Sequence, residues 1–169
     1  HNEISRFIDR KQIIPAATFI EAEIESPGVV LQQGSTAIVE MGCLDKSQEK
    51  ILKDFKNKFD SEYLSFNISD DIFYTLWKKM IIVGAFGTIM TSFRMSFREL
   101  IDSKYGEKIL SETMKEIKKV GIAEKIKLGT VNISEIIEEL RAEADEMTSS
   151  MFNDLKNRKP LEIDSILGY

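Results

Sequence analysis

The feature that most constrains the fold of this chain is a change in its sequence pattern near residue 68. Before that point, strand-like segments surround one helical segment, whereas every periodic segment after Ser69 has helical spacing. The pattern therefore predicts an α/β region over residues 1–68 and an all-α region over residues 69–169. A length of 169 residues suits one domain, or one domain and part of another.

The α/β region is predicted to hold several strands and one helix. Four segments favour strands: residues 13–24, 29–32, 36–41 and 63–68. Ser26-Pro27-Gly28 is a turn signal between the first two strands. Asp45 and Gln48 form a capping pair for a helix over residues 46–59. Because so small a sheet would have open edges, we expect the chain to be part of a longer molecule.

Capping residues predict where the helices of the all-α region begin. Helices are expected over residues 69–92, from 96, over 107–120, over 132–147, over 149–156 and from 162. Ser69, Ser96 and Asn132 are predicted N-caps, and Gly121 is the predicted end of one helix. The longest uncharged run covers residues 80–93, and a membrane span needs about 20 apolar residues. We therefore interpret this run as a buried core helix and expect no membrane partner.

Charge and rare residues exclude several classes of function. The net charge is −5, with 28 acidic and 23 basic residues interspersed, so nucleic acid is not an expected partner. Cys43 and His1 are the single cysteine and histidine, which predicts no intrachain disulfide, no metal site and no histidine-based catalysis. The sequence carries no signal-peptide pattern and no Gly-x-Gly-x-x-Gly dinucleotide fingerprint. The expected compartment is the cytoplasm.

Three places in the helical region could carry chemistry. Lys78 and Lys79 stand where a charged segment meets an apolar one; a partly buried lysine has a lowered pKa and suits a proton donor, but both side chains could also extend to water. Ser149 and Ser150 could hold a carboxylate or could simply cap a helix. Glu162 follows a proline, where acidic residues usually mark a solvated helix start.

Two glycines inside the predicted core helix indicate a close approach. Glycine in a helix costs about 1 kcal/mol relative to alanine. Gly84 and Gly87 therefore imply that another helix or a ligand comes close to this segment, and helix packing is the favoured explanation.

Taken together, these segments resemble the ketopantoate reductase (2-dehydropantoate 2-reductase) family over nearly the whole chain. Leu76-Trp77-Lys78-Lys79-Met80 is similar to the Leu-Trp-x-Lys-Leu stretch that opens the family's helical domain. Ser149-Ser150-Met151-Phe152-Asn153-Asp154, then Arg158-Lys159 and Leu161-Glu162-Ile163-Asp164, resemble its Ser-Ser-Met-x-x-Asp, basic and Thr-Glu-Ile-Asp segments, with Ser150 and Glu162 twelve residues apart. Pro27-Gly28-Val29-Val30 resembles the turn between two late strands of its nucleotide-binding domain.

The resemblance implies a fold. Residues 1–68 would form the last α/β part of a Rossmann-type NADP-binding domain. Residues 69–169 would form an all-α C-terminal domain of the 6-phosphogluconate dehydrogenase C-terminal-like type, truncated at its end. The glycines that bind the cofactor phosphates would lie upstream of this chain, and a homodimer could form through the helical domain.

The resemblance also implies a reaction and a site. The family reduces the carbonyl of a 2-oxo acid with NADPH, in pantothenate biosynthesis. Lys79 would match its general acid, Glu162 the acidic residue beside the lysine, the substrate and the cofactor, and Ser150 a hydroxyl that binds the substrate. The family commonly carries asparagines one and two turns after the lysine, where this sequence has Val83 and Gly87.

This departure leaves two interpretations of the whole protein open. A bulkier or more apolar 2-oxo acid than ketopantoate would suit a substrate pocket lined by Val83 and Gly87. Alternatively, the protein is a non-catalytic homologue that serves as a dimerisation or ligand-sensing module. A plain helical interaction domain with accidental motif matches is the least favoured explanation, because three separated segments match jointly.

Overall fold

The computed structural model describes residues 3–142, 144 and 147–168, without the side chains of residues 33–36 and 167. The chain forms two compact units, residues 1–76 and 77–169. Its strands are β1 (Ala16–Ser26), β2 (Val29–Met41) and β3 (Leu64–Ile68). Its helices are α1 (Glu49–Phe59), α2 (Ile72–Phe93), α3 (Phe97–Asp102), α4 (Gly106–Ala123), α5 (Ile133–Arg141), α6 (Ser150–Lys156) and α7 (Ile163–Leu167). An α/β region followed by a helical region is thus confirmed, while the domain boundary at residues 68–69 stays a prediction.

The first unit contains a three-stranded sheet in the order β1-β2-β3. β1 and β2 form an antiparallel hairpin, and Gly28 in its turn has a φ of +85°, a conformation that favours glycine. β3 runs parallel to β2, from Ala37 opposite Leu64 to Met41 opposite Ile68. The prediction of separate strands over 29–32 and 36–41 was wrong, because β2 runs unbroken from Val29 to Met41, although its register with β1 shifts between Gln33 and Ile38.

The core of the first unit lies between the sheet and α1. Met41, Leu52 and Phe66 are buried there. The Asp45–Gln48 capping box is confirmed, and it opens a short 3₁₀ turn ahead of α1. Gln48 is buried, and its amide nitrogen donates to the carbonyl oxygens of Lys11 and Ile13, both at 2.9 Å. One capping residue therefore also holds the N-terminal segment in place.

Helix α2 begins three residues later than predicted. The side chain of Asp71 accepts a hydrogen bond from the Tyr74 N–H at 3.1 Å, which makes Asp71 the capping residue. Ser69 was the wrong choice, because its N–H donates to the Met41 carbonyl at 2.8 Å and so continues the pairing of β3 with β2.

By length and composition α2 could also cross a membrane, and 44% of its most apolar 18-residue window is buried. These two properties do not distinguish a membrane span from the core helix of a water-soluble protein. The interpretation as a core helix stays a prediction.

The helical unit confirms three capping residues. Ser96 and Glu99 form the capping box of α3, Asn132 caps α5, and Ser149 caps α6. Helix α5 ends at Arg141 rather than near residue 147, and residues 143, 145 and 146 lie outside the described part of the chain.

Gly121 does not end α4, which continues to Ala123. A Cβ atom at Gly121 would lie 2.8 Å from Cε3 of Trp77 and even closer to Leu128. This glycine is therefore a packing residue within the helix and not a terminator.

Candidate active site

Helix α2 presents three of the predicted site residues on one broad face. Lys79, Val83 and Gly87 follow each other at intervals of four residues, and each interval turns the helix by only about 40°. With about 1.5 Å of rise per residue, Lys79 and Gly87 lie about 12 Å apart along the helix axis. This face therefore combines a cation with an apolar and a glycine position.

The two lysines at the start of this face differ in environment. Lys78 is exposed, whereas Lys79 is half-buried. Burial lowers the pKa of the Lys79 ammonium below its ordinary value of 10.5, because the charged form is poorly solvated there. From the sequence, either lysine side chain could extend into water. The structure distinguishes them, because Lys78 is exposed and Lys79 is half-buried.

Another helix comes close to Gly84, whereas at Gly87 an added Cβ atom would meet its nearest neighbour at an ordinary van der Waals distance. A Cβ atom at Gly84 would lie 3.2 Å from Cδ1 of Ile117 on α4. A Cβ atom at Gly87 would lie 3.5 Å from Cε of Met151 on α6. The sequence favoured packing as the reason for these glycines, and the structure identifies the two partners.

The serine pair divides into a cap and an exposed hydroxyl. The Ser149 side chain accepts a hydrogen bond from the Phe152 N–H at 3.1 Å and so caps α6. Ser150 is the first residue of α6 and is exposed. Its neighbour Met151 is the residue that contacts Gly87. The structure thus brings the Ser-Ser-Met segment onto the helix that carries Lys79.

Glu162 is exposed and immediately precedes α7. Its carbonyl oxygen accepts a hydrogen bond from the Ile166 N–H at 3.0 Å, and its side chain makes no capping hydrogen bond. The described contacts link Gly87 to the Ser150 segment but provide no such link for Glu162. Its role beside Lys79 stays a prediction.

Two features of this region were not found from the sequence. Met151 was quoted within a motif without a role, since a sequence pattern does not reveal packing across distant segments. Thr91 lies three turns beyond Lys79 on α2, and its buried Oγ1 has no hydrogen-bond partner among the described residues. Helical spacing could have placed Thr91 near this face, but burial of its hydroxyl required the structure.

The described residues offer no cluster for a metal ion, and the sequence offers no glycine-rich turn for a dinucleotide. No group of three or more histidine, cysteine, aspartate or glutamate side chains among them could hold a metal ion. The chain has no Gly-x-Gly-x-x-Gly segment, and its closest glycine pair, Gly84 and Gly87, lies inside a helix. The residues of this chain therefore do not fit a phosphate-binding site for a dinucleotide.

Comparison with known proteins gives consistent matches. The family described as "Ketopantoate reductase PanE/ApbA C terminal" matches residues 71–169. A 2-dehydropantoate 2-reductase of Streptococcus pyogenes serotype M3 is 25% identical over 170 residues, covering 99% of this chain and 55% of the relative. The chain thus spans about half the length of the curated relatives that it matches.

Two solved structures are also similar to this chain. D-mandelate dehydrogenase in a ternary complex with NADH and anilino(oxo)acetate is similar, with a TM-score of 0.84, 27% identity and coverage of 99% of this chain and 55% of that one. 2-Dehydropantoate 2-reductase from Geobacter metallireducens shares the fold, with a TM-score of 0.88, 17% identity and coverage of 99% and 56%. The family match covers more than half of the chain, and the chain therefore belongs to the ketopantoate reductase family.

Proposed function

We propose that the full-length protein reduces a 2-oxo acid with an apolar substituent to the corresponding 2-hydroxy acid, with NADPH as reductant. The observation that carries this proposal is the face of α2, where the half-buried Lys79 shares a helix surface with Val83 and Gly87, and Gly87 contacts the segment of Ser150. Membership of a reductase family supports the reaction class.

Lys79 is the proposed proton donor. Negative charge develops on the carbonyl oxygen when the C2 carbonyl is reduced, and a nearby ammonium both stabilises that charge and can protonate it. The lowered pKa of Lys79 supports this role, because a more acidic ammonium gives up its proton more easily near neutral pH. Ser150 would donate a hydrogen bond to the substrate, and Glu162 would orient the ammonium.

A nicotinamide cofactor, when bound, supplies the hydride. Since the residues of this chain do not fit a dinucleotide phosphate site, the cofactor would be held mainly by a segment outside it, with Glu162 as a contact from this chain. NADPH is proposed over NADH from the family resemblance, although the related D-mandelate dehydrogenase was solved with NADH. A comparison of the two reductants with the full-length protein decides between them.

The substrate class follows from the α2 face. Val83 and Gly87 stand where the family resemblance expects two asparagines, and losing a hydrogen bond to a charged group typically costs ~1.5–3 kcal/mol. Val83 is 40% exposed, so it presents apolar surface rather than filling the core. The related D-mandelate dehydrogenase holds anilino(oxo)acetate, an oxo acid with an aromatic group, which supports an apolar substituent.

The test is oxidation of NADPH by the full-length protein with ketopantoate and a panel of branched and aromatic 2-oxo acids. We expect Lys79→Ala to lower kcat by about 10²- to 10⁴-fold, the usual contribution of a general acid. Lys78→Ala is the matched control, because Lys78 is the exposed neighbour on the same helix, and its kcat should stay within about twofold of wild type.

Equal losses in the Lys79→Ala and Lys78→Ala variants would contradict the assignment of Lys79. Binding of the cofactor without turnover of any acid would instead favour a non-catalytic homologue. This is the second candidate, because Val83 and Gly87 stand where the family resemblance expects asparagines. We also propose a cytoplasmic location and a homodimer formed through the helical region. A Staphylococcus aureus ketopantoate reductase with the same fold is described as dimeric.

A further inference from the structure

Met151, which follows Ser150 in the chain, lies beside Gly87 of α2. Three of its atoms line the space above Gly87: Cε, Cβ and Sδ would be 3.5, 3.8 and 3.8 Å from a Cβ atom placed there. These are ordinary van der Waals distances for an added methyl group, so Met151 lies beside Gly87 with room for a Cβ atom between them. Met151 itself is only 5% exposed.

Met151 is one residue through which α6 approaches α2. Helix α6 is short, and Met151 and Phe152 are its two buried residues among those the structure describes. Ser150 directly precedes Met151 and is exposed. Any shift of Met151 relative to Gly87 is therefore transmitted to the Ser150 hydroxyl through a single peptide unit.

We infer that Met151 is a positioning residue, which fixes the Ser150 hydroxyl relative to the Lys79 face of α2 through its own buried position beside Gly87. This inference rests on the proposed function, because it assumes that Ser150 binds the 2-oxo acid. It assigns Met151 no contact with the substrate. A hydrogen bond weakens steeply with distance and angle, so a small displacement of α6 is enough to lose it.

The experiment is a double-mutant cycle in the full-length protein, with Met151→Ala, Ser150→Ala and the double variant. The readouts are the Kd and KM of the 2-oxo acid, the KM of the nicotinamide cofactor and the thermal midpoint. We expect Met151→Ala to raise the Kd of the 2-oxo acid by about tenfold, the size of one lost hydrogen bond, and to change the cofactor KM by less than about twofold. In the Ser150→Ala background, Met151→Ala should have almost no further effect.

Two further variants separate positioning from general stability. Met114→Ala is the matched control, because Met114 is fully buried on α4 and loses the same atoms. It should lower the thermal midpoint as much as Met151→Ala does, without changing the Kd of the acid. Met151→Leu conserves volume and should restore binding to within about threefold of wild type.

Independent effects of Met151→Ala and Ser150→Ala would overturn the inference while leaving the proposed function intact. An equal rise in the Kd of the acid for Met114→Ala would do the same. If no 2-oxo acid binds to or is turned over by the wild-type protein, the proposed function fails and this inference fails with it.

Discussion

Lys79 is the residue on which the proposed chemistry depends most, and burial gives it a signature in the pH profile. Burial lowers the pKa of its ammonium below 10.5. A general acid must be protonated to act, so we expect kcat/KM of the full-length protein to fall as pH rises through a value below 10.5. Measuring the profile for Lys79→Arg checks the assignment, since arginine stays protonated up to about pH 12. If the alkaline fall persists unchanged in that variant, another group causes it.

Val83 is the residue where the proposed substrate preference can be reversed. It stands one turn after Lys79, where the family resemblance expects an asparagine, and it is exposed enough to accept a polar side chain. We expect Val83→Asn to raise kcat/KM for ketopantoate by about tenfold, the value of one hydrogen bond to a charged group. Steady-state kinetics with ketopantoate and one aromatic 2-oxo acid measures the change. No gain for ketopantoate would contradict the proposed role of this position, and Val83→Leu controls for altered side-chain volume.

At the scale of elements, two glycines on packed helices should respond differently to the same substitution. A Cβ atom at Gly121 would meet the ring of Trp77 at 2.8 Å, and an indole cannot bend away. We expect Gly121→Ala to lower the free energy of unfolding by about 1–3 kcal/mol, as overpacking does. At Gly84 the nearest atoms are the flexible ends of Ile117 and Met80, at 3.2 and 3.3 Å. Gly84→Ala should therefore be neutral or stabilise by up to about 1 kcal/mol through helix propensity.

Urea unfolding followed by the fluorescence of Trp77, the single tryptophan, measures both changes. A destabilisation of Gly84→Ala as large as that of Gly121→Ala would show that the neighbours of Gly84 cannot move aside. The pair is a matched test, because the same methyl group is added to two buried helical glycines.

The elements that could be predicted from sequence were those with local causes. Ser96–Glu99, Asn132 and Asp45–Gln48 cap their helices as predicted, because a cap needs only residues within one turn. The errors had non-local causes. Ser69 is held by Met41 of a neighbouring strand, and Gly121 is inside a helix because Trp77 and Leu128 pack on it. In the candidate site, the family resemblance grouped Lys79 with Val83 and Gly87, whereas the proximity of Gly87 to Met151 needed the structure.

At the scale of the whole molecule, the first unit differs from a complete dinucleotide-binding domain. Its described sheet has three strands, and a single pair of them is parallel. The hairpin of β1 and β2 exposes large apolar side chains, with Ile24 at 78% and Val30 at 67%. Such surface usually packs against another segment or another chain. The proposed activity therefore belongs to the full-length protein. This chain spans about half the length of its curated relatives.

If the dinucleotide is held by a segment outside this chain, the chain of 169 residues, produced alone, should neither bind NADPH tightly nor oxidise it with any 2-oxo acid. The physical reason is that dinucleotide phosphates need a glycine-rich turn at a helix N-terminus, and the sequence has none. Calorimetric titration with NADPH and an absorbance assay with the same acids measure both properties, with the full-length protein as the control. A folded state, checked by circular dichroism, must accompany the negative result, because an unfolded chain would also fail to bind. Measurable turnover by this chain alone would mean that its own residues hold the cofactor, and the assignment of the dinucleotide site to another segment would have to be abandoned.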